Sequence, residues 1–435
     1  MLSTRLALSL LTWIKAGASA RCDTARMSTA HLHGRPSPAL LGEAPHRLMF
    51  FVGASNLLLA MAWWAAWLVS ARWPAVLQMH QPQPYAGWLH AFVMQYQMLP
   101  SFIFGFLLTT FPKWMGQPEF ERWRYAPVGI GLMGGQLATL LGAIGWEAGL
   151  TVGLWMTLGG WVAGVATLAP LTWREGGTTW HARSCLAALV MGLLGLLAWL
   201  AAMLGASPMW VMASIKIGTF GLLLPVYFSV AHRMFPFFAS RVVPGYVVWR
   251  PFWLLAAMWP LVLAHLVLEL LHAYGWLWLV DVPLLLIAST LLWRWWPRGD
   301  KPGLLTVLFI GLAWLPVAFA LYTAQSLVYE VTGVYWLGRG PAHALFVGFF
   351  GSVLVAMVTR VTQGHSGQEL YMPGTAWFTF VAIQVVAATR VLAEAFPDAM
   401  GWNAAAAMGW LVAFLPWVLR LARIYLSPRA DGKPG

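Results

Sequence analysis

The chain has 435 residues, of which 60% are apolar and only 9% are charged, and its mean hydropathy is +0.70. A soluble domain carries about 25% charged residues, so this composition excludes an ordinary water-soluble protein and predicts a chain that folds in lipid. The formal net charge of +12 comes from cations scattered between apolar segments. Membrane topology and anionic lipid heads explain that charge better than nucleic acid does.

Residues 1–46 precede the first long apolar segment and are predicted to form a mostly disordered cytoplasmic leader. A short apolar stretch lies within residues 4–21, but it is brief for a signal peptide and no convincing cleavage site follows it. Translation from Met27 would remove this stretch altogether.

Twelve segments follow that are each long enough to cross a bilayer as a helix, which takes about 20 apolar residues. Their predicted bounds are 48–70, 86–111, 126–146, 149–172, 184–206, 209–231, 252–272, 275–296, 303–325, 341–360, 375–396 and 402–426. The gaps between them are short and rich in Pro, Gly and Arg. The predicted fold is an all-α polytopic membrane bundle over residues 47–426, followed by a cytoplasmic tail at 427–435.

Lys and Arg alternate between these gaps. Of the 26 cations, 22 lie in the leader, in every second gap with the span ends beside it, and in the tail, whereas the other gaps and span ends hold only Arg72, Arg339 and Arg390. The remaining cation, Lys216, falls within a span. Because Lys and Arg are retained on the cytoplasmic side of membranes, both termini are predicted to be cytoplasmic, which agrees with an even number of spans.

The sequence contains none of the common motifs for disulfide frameworks, covalent haem attachment, phosphate binding or metalloprotease activity. Cys22 and Cys185 are its two cysteines, which excludes a disulfide framework. The sequence has no C-x-x-C-H for covalent haem attachment, no Gly-rich phosphate loop and no metalloprotease histidine pair.

Five spans carry polar or ionisable side chains at membrane depth, where such groups are costly and usually face the interior of a bundle. In the second span, His90, Met94, Gln97 and Ser101 have offsets of 4, 7 and 11 and therefore share one helical face. The other candidates are Lys216 and His232 in the sixth span, His265 and Glu269 in the seventh, His343, Arg360 and His365 in or just after the tenth, and Arg390 and Glu394 in the eleventh.

Two interpretations of these histidines are open at this point. Imidazole is a common ligand of haem iron and also suits copper, so the histidines predict a metal or haem site. The alternative is that each is a hydrogen-bonded residue between packed helices. Lys216 needs a partner within the membrane, which is expected to be Glu269 or a cofactor carboxylate, and Arg390 with Glu394 is expected to be a structural pair.

Three stretches carry a family resemblance. Residues 105–116 read GFLLTTFPKWMG, residues 233–238 read RMFPFF, and residues 343–367 contain HAL, MVTRV and GHSG in that order. They resemble the GFLLT-x-x-P-x-W-x-G, R-x-x-P-F-F and H-A-L…M-x-T-R-V…G-H-[ST]-G elements of the NnrS family of bacterial membrane proteins.

The resemblance implies a haem- and copper-containing protein of the bacterial inner membrane that is linked to the nitric oxide response and denitrification. It implies nitric oxide as a small ligand and respiratory or denitrification proteins as associates. His90, His343 and His365 are the candidate metal ligands on this basis. His232 and His265 are added as cofactor-binding candidates from their positions in the spans.

The chain departs from the family at one element. The family commonly shows H-x-H-E-M near the start of the second span, whereas residues 90–94 here read HAFVM. Phe92 and Val93 replace the second histidine and the glutamate, which puts full cofactor occupancy in question. Met94 and Met98 are candidate substitute ligands.

The leading hypothesis is a haem held between His90 and His343, with Gln97 and Thr359 orienting the ligands. The rival is a twelve-helix secondary transporter in which Lys216 and Glu269 line a substrate or proton path. A third reading is an assembly or protective subunit that performs no chemistry. The sequence leaves open whether the gas is sensed, sequestered or turned over.

Overall fold

The computed structural model describes residues 36–432, and within this range the chain forms twelve helices long and apolar enough to cross a membrane. They are α1 Pro45–Arg72, α2 Ala86–Trp114, α3 Arg122–Ala143, α4 Ala148–Arg174, α5 Trp180–Met203, α6 Met209–Val242, α7 Phe252–Leu270, α8 Tyr274–Trp295, α9 Gly303–Thr332, α10 Gly340–His365, α11 Gly374–Ala395 and α12 Ala399–Tyr425. The all-helical fold and the twelve predicted spans are confirmed. Helix α6 runs well past its predicted end because Phe235 and Phe238 continue its buried face beyond His232 and Arg233.

The described part of the predicted leader is helical rather than disordered. Residues Pro38–Glu43 form a 3-10 helix, and α1 begins at Pro45. Proline suits this first position because a backbone N–H there would have no hydrogen-bond partner within the helix. The Arg47 guanidinium is buried and donates to the backbone oxygens of Tyr425 and Ser427 at 3.3 and 3.1 Å. The start of α1 is thus anchored to the end of α12, and the Ser37 N–H of the leader donates to the Leu426 carbonyl there. Residues 1–35 and the alternative start at Met27 lie outside the described residues.

Three helices occupy the centre of the bundle. In their most apolar 18-residue stretches, 89% of the residues of α2 and α10 and 67% of those of α6 are buried, against 39% for α7 and α8. The other helices surround them, with α12 packed on α1, α1 on α3, α3 on α4, α4 on α5, α7 on α8, α8 on α9 and α11 on α12. Polar side chains on α2, α6 and α10 are therefore placed to meet inside the protein.

Each central helix contains a π-helical segment, namely Val93–Met98 in α2, Ile217–Leu223 in α6 and Ala344–Gly351 in α10. In α2, the N–H of Leu99 bonds to the carbonyl of Met94, five residues earlier. A π segment adds residues per turn and rotates the helix face that follows it, and such segments are frequent at functional sites.

The two ends of the bundle differ in charge. Both termini of the described chain lie at one end, where the Ser37 N–H donates to the Leu426 carbonyl at 2.8 Å. We call it the cation-rich end, because the cation-bearing gaps alternate with the spans and meet there. At the opposite end, Arg72 bonds to Asp398 at 2.9 Å and joins α1 to α12. This hydrogen bond from Arg72 lowers the pKa of Asp398.

Glycines allow α3 and α4 to pack backbone against backbone. A β-carbon on Gly131 would lie 2.5 Å from the Cα of Gly160, closer than real Cβ contacts come. Small residues at such contacts are how membrane helices approach closely and gain dispersion energy.

We expect Gly131→Ala to force α3 and α4 apart and to cost roughly 1–3 kcal/mol, as overpacking of a tight contact does. Thermal unfolding in detergent would show a lower midpoint. The matched control is Gly159→Ala on α4, where the added methyl meets nothing within 4 Å. That control should leave the midpoint unchanged or slightly raised, because alanine favours helix over glycine by up to about 1 kcal/mol. Equal midpoints for both variants would contradict the close contact.

Candidate functional site

A cavity of about 290 Å³ lies between α2, α6 and α10 at the end of the bundle opposite the termini. Its wall includes His90, near the start of α2, and His343, near the start of α10. The rest of the wall is mostly aromatic and aliphatic and includes residues of α1, α11 and α12. The volume is near the lower end of the range for small-molecule sites, about 300–1,000 Å³. We call this space the histidine cavity.

His90 is half-buried and lies flat against Trp64 of α1, with ring centroids 4.3 Å apart and 8° between the ring planes. Trp64 stacks in turn on Trp67 at 5.2 Å. The Nδ1 atom of His90 is buried and has no hydrogen-bond partner among residues 36–432. A buried polar atom without a partner costs about 1–3 kcal/mol, so this nitrogen is suited to a ligand that completes it.

His343 is oriented by its own helix. Its Nδ1 lies 2.9 Å from the backbone oxygen of Arg339. A carbonyl oxygen only accepts, so Nδ1 carries the proton and Nε2 keeps a lone pair. Metal-binding histidines commonly make this second bond, which fixes the ring and raises its basicity. His90 and His343 thus line one cavity, as expected from the sequence, and their role as ligands stays a prediction.

Two arginines place positive charge at the same cavity. Arg390 of α11 is 9% exposed and donates to Glu394 at 2.9 Å, the pair that their spacing of four residues predicts. Arg339, in the turn before α10, is exposed. A planar guanidinium matches the geometry of a carboxylate, so this part of the cavity suits an anionic substituent of a ligand.

A chain of four ionisable side chains reaches the cavity wall. Lys216 of α6 lines the cavity, and its Nζ lies 2.5 Å from Glu269 Oε2, which confirms the expected partner. Glu269 Oε1 is 3.5 Å from His265 Nε2, and His265 Nδ1 is 2.7 Å from Asp281 Oδ1. The last three residues are at most 3% exposed. We call these four side chains the ion network. His265 is held by carboxylates and is not part of the cavity wall, which favours a role in the ion network over a role as a cofactor ligand.

His365 lies at the cation-rich end of α10, at the opposite end of that helix from His343. Its Nδ1 is 3.0 Å from the Val361 carbonyl and its Nε2 is 3.4 Å from the Lys113 amine. Its ring centroid is 4.5 Å from that of His46, which is buried and has no partner for Nδ1 among residues 36–432. His46, the second residue of α1, therefore packs inside the bundle beside His365. A single site that unites all three predicted metal ligands is excluded by the length of α10.

His232 is engaged at both ring nitrogens. Its Nε2 is 3.2 Å from the Pro251 carbonyl and its Nδ1 is 2.9 Å from Nε2 of His181. The carbonyl accepts from Nε2, so His181 donates to Nδ1, and no lone pair of His232 is left for a metal. This geometry favours a structural role. Arg360 lies over the ring of Phe238 at 4.0 Å and takes no part in the cavity wall.

The two residues expected to orient the ligands bind elsewhere, and that expectation is wrong. Gln97 donates to the hydroxyls of Thr139 and Thr157, each at 2.9 Å. Thr359 accepts from the indole N–H of Trp417 at 2.9 Å. Offsets of 3.6 residues per turn place Gln97 on the face of His90, but the π-helical segment of α2 rotates the helix between them.

The residues that depart from the family element are packed in the core. Phe92 is buried against Trp199 of α5, with ring centroids 4.5 Å apart, and Val93 is buried beside it. Neither belongs to the wall of the histidine cavity, whereas Met94 and Met98 do. The two sulfur-bearing candidates for substitute ligands are therefore at the cavity.

Sequence reasoning missed Asp281, His181 and the contact of His46 with His365. Asp281 interrupts an apolar span as an isolated carboxyl, and its partner lies on another helix, so the local sequence carries no signal of the pair. Within residues 36–432, no three His, Cys, Asp or Glu side chains lie together in a group that could hold a metal ion.

Comparison with known proteins gives one match. The family described as NnrS protein matches residues 41–429, which is nearly the whole chain. No curated protein and no solved structure matches it.

Proposed function

Because this chain belongs to the NnrS family, we propose that it is an integral membrane haem protein involved in the response to nitric oxide, nitrosative stress or denitrification. One observation carries the proposal: His90 and His343 line one cavity, and each has a ring nitrogen left for a ligand. Histidine is a common ligand of haem iron, so His90 and His343 are the residues that would hold a haem in this cavity.

In this proposal, His90 and His343 would hold the haem, and Arg339 and Arg390 would pair with its carboxylates. Bound haem supplies an iron centre that binds diatomic gases. The aromatic part of the wall around Trp64 offers no partner for a charge, and burying an unpaired charge there is far more costly than burying an uncharged gas. Nitric oxide is small and uncharged, so it can reach the cavity through lipid without a charged pore.

Copper is the second metal that family membership implies. The described residues offer no group of three His, Cys, Asp or Glu ligands for it. Met94 and Met98 at the cavity wall are soft ligands of the kind that Cu(I) prefers. We assign copper no other residues.

We place the protein in the bacterial inner membrane with both termini in the cytoplasm. The cation-rich end supports this orientation, because 22 of the 26 cations belong to gaps and termini on that side. The histidine cavity would then lie on the periplasmic side of the bundle. Respiratory or denitrification proteins are the expected associates.

The test is a visible spectrum and metal analysis of the protein purified in detergent from haem-replete cells. We expect an absorption band of non-covalent haem that changes on reduction with dithionite and again on addition of nitric oxide. The same preparation stripped of haem and reconstituted should regain the band. A monodisperse protein that carries no haem and takes up none would refute the proposal.

The ion network supports a second candidate, a secondary transporter. Lys216, Glu269, His265 and Asp281 form a buried path that ends at a cavity, as substrate and proton paths do. Uptake of a substrate by proteoliposomes that contain metal-free protein would favour this candidate over the haem protein.

A further inference from the structure

A second cavity, of about 60 Å³, lies between the same three central helices, nearer the cation-rich end. Phe102 of α2, Ala231 of α6 and Met357 of α10 belong to its wall. All wall residues carry aliphatic, aromatic or thioether side chains, and Tyr227 bears the one hydroxyl among them. We call this space the apolar cavity.

The composition of the wall decides what the apolar cavity can hold. A buried water needs two to four polar partners, and the backbone groups of helices are already paired with one another. One phenol does not meet that need. An apolar wall of this kind favours apolar solutes over water, and a closed, engineered apolar cavity of about 150 Å³ takes up benzene or xenon. The smaller apolar cavity fits a xenon atom or a diatomic molecule and is too small for an aromatic ring.

The apolar cavity adjoins the histidine cavity. Leu354 of α10 belongs to the wall of both cavities. On α2, the wall passes from Leu99 in the histidine cavity to Ile103 in the apolar cavity, one helical turn further along. The side chain that separates the two cavities at this point is aliphatic, so a small uncharged solute that passes Leu354 meets no charged group there.

We infer that the apolar cavity is a second binding site, for a small uncharged apolar molecule of diatomic size, which exchanges with the histidine cavity past Leu354. The site holds its ligand by dispersion and by exclusion from water rather than by a metal. Binding itself does not depend on the proposed haem. The identity of the natural gas, nitric oxide, does rest on the proposed function.

The test is xenon-pressurised crystallography of the full-length protein, with and without reconstituted haem. We expect an anomalous xenon peak in the apolar cavity of both preparations. The variant Ala231→Val fills the cavity and should lose this peak, whereas Ala166→Val, at an exposed position of α4, should keep it. Should Ala231→Val fail to fold, Val230→Ile adds a single methylene to the same wall and should lower the xenon occupancy.

Ordered water in the apolar cavity, or its lack of xenon at a pressure that fills other apolar sites on the protein, would overturn the inference. Retention of the full peak in Ala231→Val would do so as well. A xenon peak in a protein that never binds haem would leave the second site standing while refuting the proposed function. In haem-loaded protein, Ala231→Val should also change the fraction of photolysed nitric oxide that rebinds before escape.

Discussion

Replacement of His343 by alanine is expected to remove most of the haem from the purified protein. The side chain has its Nδ1 proton committed to the Arg339 carbonyl, so its Nε2 is the nitrogen that a metal would take. Loss of a mere supporting partner of a metal ligand costs about 10–100-fold in affinity, and loss of the ligand itself should cost more. Haem per protein, measured from the absorption band against protein concentration, checks the outcome.

The matched control is His80→Ala, the same substitution at an exposed histidine in the turn before α2. It should retain the haem content of the unaltered protein. Imidazole added to His343→Ala should restore part of the absorption band, which a collapsed fold would not allow. If His343→Ala and His90→Ala both keep full haem, the assignment of the cavity ligands is wrong even if the protein binds haem elsewhere.

Replacement of Glu269 by glutamine is expected to destabilise the bundle by about 3–5 kcal/mol, the usual cost of removing one partner from a buried ion pair. Glu269 is 3% exposed and contacts both Lys216 and His265. When the charge of Glu269 is removed, the Lys216 ammonium has no anion within contact distance in the ion network. The cost of desolvating the ammonium is then no longer offset. Thermal unfolding in detergent measures the loss.

Two comparisons isolate the electrostatic cause. Glu147→Gln changes an exposed carboxylate in the turn before α4 and should leave the unfolding midpoint within error. The double variant Lys216→Met with Glu269→Gln removes both charges and should be more stable than Glu269→Gln alone, because the two sites are coupled. If the double variant is less stable by the sum of the single losses, the ion pair makes no contribution.

Sequence reasoning located the ionisable residues and, in two cases, a partner, since Arg390 also pairs with Glu394 as expected. An ammonium in lipid needs an anion, so Lys216 is expected to pair with Glu269 or a cofactor carboxylate, and its Nζ lies 2.5 Å from Glu269 Oε2. The same reasoning could not find Asp281, because a lone carboxyl in an apolar span does not indicate which helix faces it. It also placed Gln97 with His90, because helical offsets assume 3.6 residues per turn and the π segment of α2 breaks that count.

The sequence by itself determined the twelve helices and the alternation of cations between their ends. Both follow from local physics, since each span must bury its own backbone polar groups and keep its flanking charges out of hydrocarbon. Tertiary structure alone decided which histidines meet. His90 and His343 line one cavity while His365 joins His46 at the other end, because these groupings depend on how α2 and α10 pack and on where π turns rotate their faces.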